Sequence, residues 1–120
     1  MILNWAKTRM ALFLAGSHTD YPTYFMLGSG SGTVSTTQTE LIYPWDRQEI
    51  TVAVGSNAYK VKYVGDWNSV EMSGNQLTEW GMCISGATTI GSMWSRTAMA
   101  NTIDFDGTTE LRIEETWEIY

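Results

Sequence analysis

The end of the chain alternates. Thr109, Leu111, Ile113, Trp117 and Ile119 fall on one phase, and Glu110, Arg112, Glu114, Thr116 and Glu118 on the other, with Glu115 the single interruption. A period of two sends successive side chains to opposite faces of an extended chain, so this stretch reads as a strand with one face buried and the other wet. The same texture recurs upstream. Ile50, Val52 and Val54 alternate with Glu49, Thr51 and Ala53, and Tyr59, Val61 and Tyr63 alternate with Lys60 and Lys62. Gly55-Ser56-Asn57 between them is short enough for a hairpin, which makes the pair antiparallel. Thr23 to Leu27 is an aromatic and apolar run ending at Gly28; Trp80, Met82 and Ile84 share a phase after the Gly74-Asn75 turn; and Met93 to Met99 follows a loop from Gly86 to Gly91. Short strands separated by Gly, Asn and Asp turns predict a mainly β chain, an antiparallel β-sandwich rather than a parallel α/β sheet.

One segment keeps a different period. Ile2, Ala6, Met10 and Phe13 recur at spacings of four, four and three, with no Gly or Pro between Asn4 and Leu14. This predicts one N-terminal α-helix, capped by the Asn4 side chain and closed by Gly16 in a left-handed conformation. Residues 1–16 are then a helix packed on or beside the sandwich. Trp5 and Leu12 lie off its main apolar stripe, so part of the helix is left to meet either the body or a partner. Glu40 to Trp45 reads as one or two amphipathic helical turns.

The chain has 120 residues, enough for a single domain, and 43% of them are hydrophobic, enough for a continuous core. Seven basic residues against thirteen acidic give a net charge of −6, the wrong sign for a large interface with nucleic-acid phosphates. A single cysteine, Cys83, excludes an intrachain disulfide, and with only His18 beside it there is no ligand set for structural zinc. The apolar patch from Met10 to Ala15 is too short to cross a bilayer and is read as part of the fold, with no membrane partner.

Motifs that could carry chemistry have plainer readings. Gly28-Ser29-Gly30-Ser31-Gly32-Thr33 lacks the Lys-Ser/Thr of a phosphate-binding loop and the spacing of a dinucleotide fingerprint, so it reads as a turn with close backbone approach and no cofactor. Asp104-Phe105-Asp106-Gly107 lacks the ligand positions of an EF-hand and reads as a turn rather than a metal site. A Cys83–His18 dyad needs two unrelated segments to meet, and the adjacent Glu114 and Glu115 of a strand point to opposite faces and cannot both flank one glycosidic bond. No catalytic residue is assigned, and a hydrolase ranks behind every other reading. Of the six Trp, Trp80 and Trp117 lie on apolar phases and belong inside, which leaves Trp5, Trp45, Trp67 and Trp94 as surface candidates for stacking on a glycan.

Three strings carry a resemblance. An apolar strand runs into a Gly-x-Gly-x-Thr loop at Phe25–Thr33, followed by Thr39-Glu40-Leu41 and Arg47. A second string is Leu77-Thr78-Glu79-Trp80-Gly81-Met82. The third is Met93-Trp94-Ser95-Arg96 followed by the alternating end of the chain. In this order and spacing the chain resembles small virion structural proteins of tailed bacteriophages, of the tail, tail-fibre or tail-collar type, although Trp80 stands where a smaller aliphatic residue is expected. The resemblance implies a non-enzymatic β-sandwich subunit, attached at the tail or neck, that joins other virion structural proteins, forms a homo-oligomer in the particle, and is assembled in the bacterial host cytoplasm. A capsid decoration protein is the alternative within that class, and a carbohydrate-binding module the alternative outside it. An assembly role needs aromatic or Met anchors on a rigid body. The expected partner contacts are Trp5 and Leu12 on the helix, Gly28, Gly30 and Gly32 in the loop, and Trp45 after it.

Overall fold

The computed structural model describes residues 1–17, 21–38, 40–54, 59–84 and 93–118. The polar turn at His18, the connector Gly55-Ser56-Asn57, the loop from Gly86 to Gly91, and Ile119 and Tyr120 fall wholly or largely outside the described residues.

Two antiparallel sheets pack face to face in a sandwich-like arrangement, as the alternation predicts. The first has the order β2-β1-β5-β6, built from β1 (Tyr24–Gly28), β2 (Pro44–Glu49), β5 (Gln76–Cys83) and β6 (Met93–Asp104). The second has the order β3-β4-β7, built from β3 (Thr51–Val54), β4 (Lys60–Trp67) and β7 (Leu111–Glu118). β3 and β4 pair antiparallel, with Val52 opposite Tyr63, as expected for a hairpin. The core between the sheets contains Phe25, Leu27, Tyr63, Trp67, Leu77, Met82, Trp94 and Ile113. Burial of this much aromatic and aliphatic surface, at about 25 cal/mol per Å² of apolar area, is what holds the two layers together.

The centre of the first sheet, at β1, the end of β5 and the start of β6, is buried on both faces, which the alternation does not predict. Residues directly opposite across an antiparallel pair share a face. Phe25 and Leu27 face the second sheet together with their partners Met82 and Trp80; Met26 and Gly28 face the other way, with Gly81 and Glu79. That outer face carries a second core of Leu3, Met26, Leu41, Cys83 and Met93, roofed by the segment between β1 and β2. β1 consequently has four consecutive buried residues from Phe25 to Gly28.

Helix α1 spans Asn4–Leu14, where the period of 3.6 places it, but its N-cap is Leu3 and no side chain caps it. Asn4 is already helical, and its backbone N–H is taken by the carbonyl of Thr36, so the expected cap is not formed. Gly16 does adopt the left-handed conformation, at φ 77°. The segment before the helix lies along β6: Leu3 N–H donates to the Trp94 carbonyl and Arg96 N–H to the Met1 carbonyl. Glu40 to Trp45 is not a helical turn: residues 40–43 are irregular, and Pro44 and Trp45 begin β2, which completes the edge of the first sheet against β1. A four-residue helix α2 (Ser69–Met72) was not predicted; Asn68 and Glu71 close it with a reciprocal capping box, each side chain accepting the other's backbone N–H at 2.9 Å. The Asp106-Gly107 turn is as expected: Asp106 Oδ1 accepts the Thr108 N–H at 3.0 Å, and Gly107 has φ 92°.

Candidate assembly surface

Residues from all three strings, distant in sequence, meet on the outer face of the first sheet, while the alternating end of the third string forms β7 in the second sheet. Glu79 of β5 and Arg96 of β6 project there side by side, both with no exposed surface, and form an ion pair with Nε to Oε1 at 3.0 Å. The rest of the Glu79 carboxylate is taken by backbone. Oε2 accepts the Gly30 and Tyr43 N–H groups, each at 2.8 Å, and Oε1 accepts the Ile42 N–H at 2.9 Å. Arg96 Nη1 donates to the Gly32 carbonyl and to Gln38 Oε1, each at 3.3 Å, and Gln38 Oε1 also accepts the Ser35 N–H. The Thr78 hydroxyl donates to the Gly30 carbonyl. One carboxylate and one guanidinium thus fasten both ends of the segment between β1 and β2 to the sheet beneath it.

The local sequence explains why the segment can lie so close. A Cβ at Gly28 would sit 2.6 Å from Glu79 Oε2 and 2.8 Å from the Tyr43 carbonyl, and one at Gly30 would fall on Glu79 Oε2 and on Ile42 Cβ. Glycine is required at both positions because the chain passes directly over a buried side chain, the close-approach reading of the glycine loop. In β5 the pairing with β6 is irregular between Leu77 and Glu79, and there the strand delivers Thr78 and Glu79 to the loop.

Burial pushes the Glu79 carboxyl upward, but the N–H groups of Tyr43 and Ile42, the Arg96 guanidinium and the Gly30 N–H outweigh it and hold Glu79 below the usual carboxylate range. It is therefore an anion at neutral pH, completing the pair with Arg96. Glu115, the one interruption in β7, behaves oppositely. It turns inward, accepts from Trp117 Nε1 and Ser95 Oγ, and is pushed up by burial. Burial likewise pushes the Cys83 thiol up to about 11, the environment of a structural cysteine.

The expected contact residues divide. Gly28 and Gly30 are buried under the loop and shape it from below, whereas Gly32 is exposed. Trp5 is half-buried, edge-on to Trp94 at 5.7 Å with the Arg9 guanidinium over its ring, and Leu12 is half-buried on the same helix. Trp45 is half-buried, its indole N–H donating to the Gln76 carbonyl at 2.9 Å. Of the four Trp named for glycan stacking, Trp67 and Trp94 are core residues at 2% and 3% exposure, so they form no surface. Both rings fill the space between the sheets: Trp67 is on the inward phase of β4 with Tyr63, and Trp94 is the extra residue where the β5–β6 register shifts between Met82 and Cys83.

Two surface residues at this site have no counterpart in the sequence reading. Ile42 and Tyr43 are 51% and 66% exposed, while their own backbone N–H groups are bound by Glu79. An apolar pair standing on a backbone fixed from below is a pre-organised anchor, and its signal in the sequence was the apolar run Leu41-Ile42-Tyr43-Pro44-Trp45 between polar stretches. At the end of α1, Phe13 and Leu14 are 52% and 86% exposed. Among the described residues no group of His, Cys, Asp and Glu is placed to hold a metal ion, and no helix is long and apolar enough to cross a membrane. No protein-family model, curated protein or solved structure matches the chain.

Proposed function

We propose that the chain is a non-enzymatic structural subunit of a tailed-phage virion, attached at the tail or neck, with the surface around Ile42 and Tyr43 meeting a larger virion component. The observation that carries the reading is that residues from each of the three strings meet in one place. Gly28, Gly30 and Gly32, Leu41, Thr78-Glu79 and Arg96 all belong to one buried cluster or to the loop it fastens. Part of the resemblance to phage tail proteins therefore rests on residues that act together as one structural device, while the alternating end of the chain lies in the second sheet. Such a device suits an assembly part, because a loop ordered before contact loses little conformational entropy when it binds.

The test is location. An antibody to the chain, used for immunogold labelling of particles purified from cultures carrying its gene, is expected to mark one end of a tailed particle. The Ile42→Ser, Tyr43→Ser variant is expected to fold as the parent does and to be lost from the particles. Gold distributed over the head supports the decoration alternative. Protein that stays in the soluble fraction with unlabelled particles contradicts the proposal.

A further inference from the structure

Sheet edges decide which chains can pair with this one. An edge strand offers a row of free backbone donors and acceptors, and proteins blunt such rows by shortening, bulging or covering them. Among the described residues, three of the four edges are short, interrupted or partly covered. β3 has only four residues; β2 begins with Pro44 and its register with β1 shifts at Leu27/Gly28; and β6, twelve residues long, is covered only at its start by the bridge from Ile2 to Ser95 and is interrupted where its register with β5 slips between Glu79↔Ala98 and Leu77↔Ile103. β7 is different. It has eight residues, pairs with β4 alone among the described residues, and keeps an unbroken register from Lys60↔Glu118 to Trp67↔Leu111. Beside its second half lies a largely apolar groove of about 770 Å³ lined by Met1, Ile2, Met10 and Trp117.

The charges on β7 select what can pair with it. Its solvent face carries Arg112, Glu114, Thr116 and Glu118, and Glu110 stands just before the strand. Two copies of β7 in antiparallel contact keep solvent face beside solvent face, so only a few registers exist. Centring the pair on Arg112 sets Arg112 against Arg112, and centring it on Glu114 or Thr116 sets glutamates against glutamates. Centring on Glu115 places two half-buried carboxyls opposite each other. Centring on Ile113 sets Arg112 against Glu114 twice, Ile113 against its own copy and Leu111 against Glu115, with no like charges opposed. We infer that β7 is a self-complementary edge through which two copies of this chain join, in the Ile113-centred register, to make one continuous six-stranded sheet. The net charge of −6 on each copy opposes association only weakly at physiological salt, where screening acts over about 8 Å. This goes beyond the virion reading and does not rest on it.

The test uses sedimentation equilibrium of the whole chain across micromolar to millimolar concentration. The parent is expected to form a dimer. Arg112→Glu alone sets glutamates against glutamates, and Glu114→Arg alone sets arginines against arginines, so each is expected to raise the dissociation constant about tenfold or more. An equimolar mixture of the two variants restores opposite charges at both positions and is expected to dimerise, as is the Arg112→Glu, Glu114→Arg double variant. Both positions, Arg112 and Glu114, are exposed, and circular dichroism reads the fold of each variant. A parent that stays monomeric overturns the inference and leaves the edge to a strand of a different protein. Single variants that associate like the parent, or a mixture that remains monomeric, overturn it as well.

Discussion

Glu79 can be removed with a calculable consequence. In Glu79→Ala, four donors lose their acceptor at once: the N–H groups of Gly30, Ile42 and Tyr43, and Nε of Arg96. Leaving one partner of a buried ion pair uncompensated costs about 3–5 kcal/mol, and each stranded amide adds about 1–3 kcal/mol unless it reaches water. The loop can lift to hydrate its amides, but doing so uncovers Leu41 and Met26. The net expectation is a loss of about 3–5 kcal/mol, a large share of the roughly 5–15 kcal/mol that holds a domain folded. Arg96→Met is expected to cost less, about 1.5–3 kcal/mol, because the carboxylate keeps its three amide donors and loses one charged hydrogen bond. Urea unfolding followed by Trp fluorescence reads both, since Trp67 and Trp94 are buried. The pH dependence has a definite sign: Glu79 is held low in the fold, so its contribution is present above the unfolded value near 4.3 and lost as pH falls through its folded value. The gap between the parent and Glu79→Gln should therefore close in acid. A Glu79→Ala protein within about 1 kcal/mol of the parent, or an Arg96→Met protein less stable than it, refutes the reasoning.

Other substitutions probe neighbouring parts of the account. Gly30→Ala forces a methyl onto Glu79 and Ile42 and should destabilise by about 1–3 kcal/mol, seen as a lower urea midpoint; an unchanged midpoint contradicts the close approach. Glu115 is raised in the fold, so its favourable contribution exists below its unfolded value and is lost as pH rises through its folded value. Glu115→Gln should accordingly stabilise at pH 7 and converge with the parent below about pH 4; a lower midpoint at pH 7 counts against the burial argument. Cys83, buried and with its thiol near 11, should react with a thiol reagent at neutral pH only as fast as the chain unfolds, and addition of urea should release it. Rapid labelling of the native chain would place the thiol at the surface instead.

Periodicity located what periodicity can locate. The strand at Leu111–Glu118 announces itself because it has one buried side, and a one-sided element writes its period into the chain; the β3–β4 pair and the helix from Asn4 also stand where their periods place them. The outer face of the first sheet is silent for the same reason. Once a loop covers that face, Phe25 to Gly28 are buried on both phases, and Glu79, on a phase that should be wet, is the most enclosed carboxylate described. Nothing local marks Glu79 as buried, since its partners are 17 to 49 residues away. The glycine loop was legible as close backbone approach, but the object it approaches was not. Glu40 to Trp45 looks like a helical turn on its own, yet Pro44 and Trp45 become the start of β2 because β1 offers them an edge, a tertiary decision that local propensity does not contain. Ile42 and Tyr43 were passed over because two exposed apolar residues have meaning only once the backbone beneath them is known to be fixed.

A buried carboxylate makes the segment between β1 and β2 as rigid as the sheet it covers, and amide hydrogen exchange, residue by residue on the native chain, reads that rigidity. The N–H groups of Gly30, Ile42 and Tyr43 are expected to exchange as slowly as those in the centre of β5, by global unfolding, and Glu79→Gln is expected to accelerate all three together. Exchange of these amides at the rate of an exposed loop in the parent protein would contradict it.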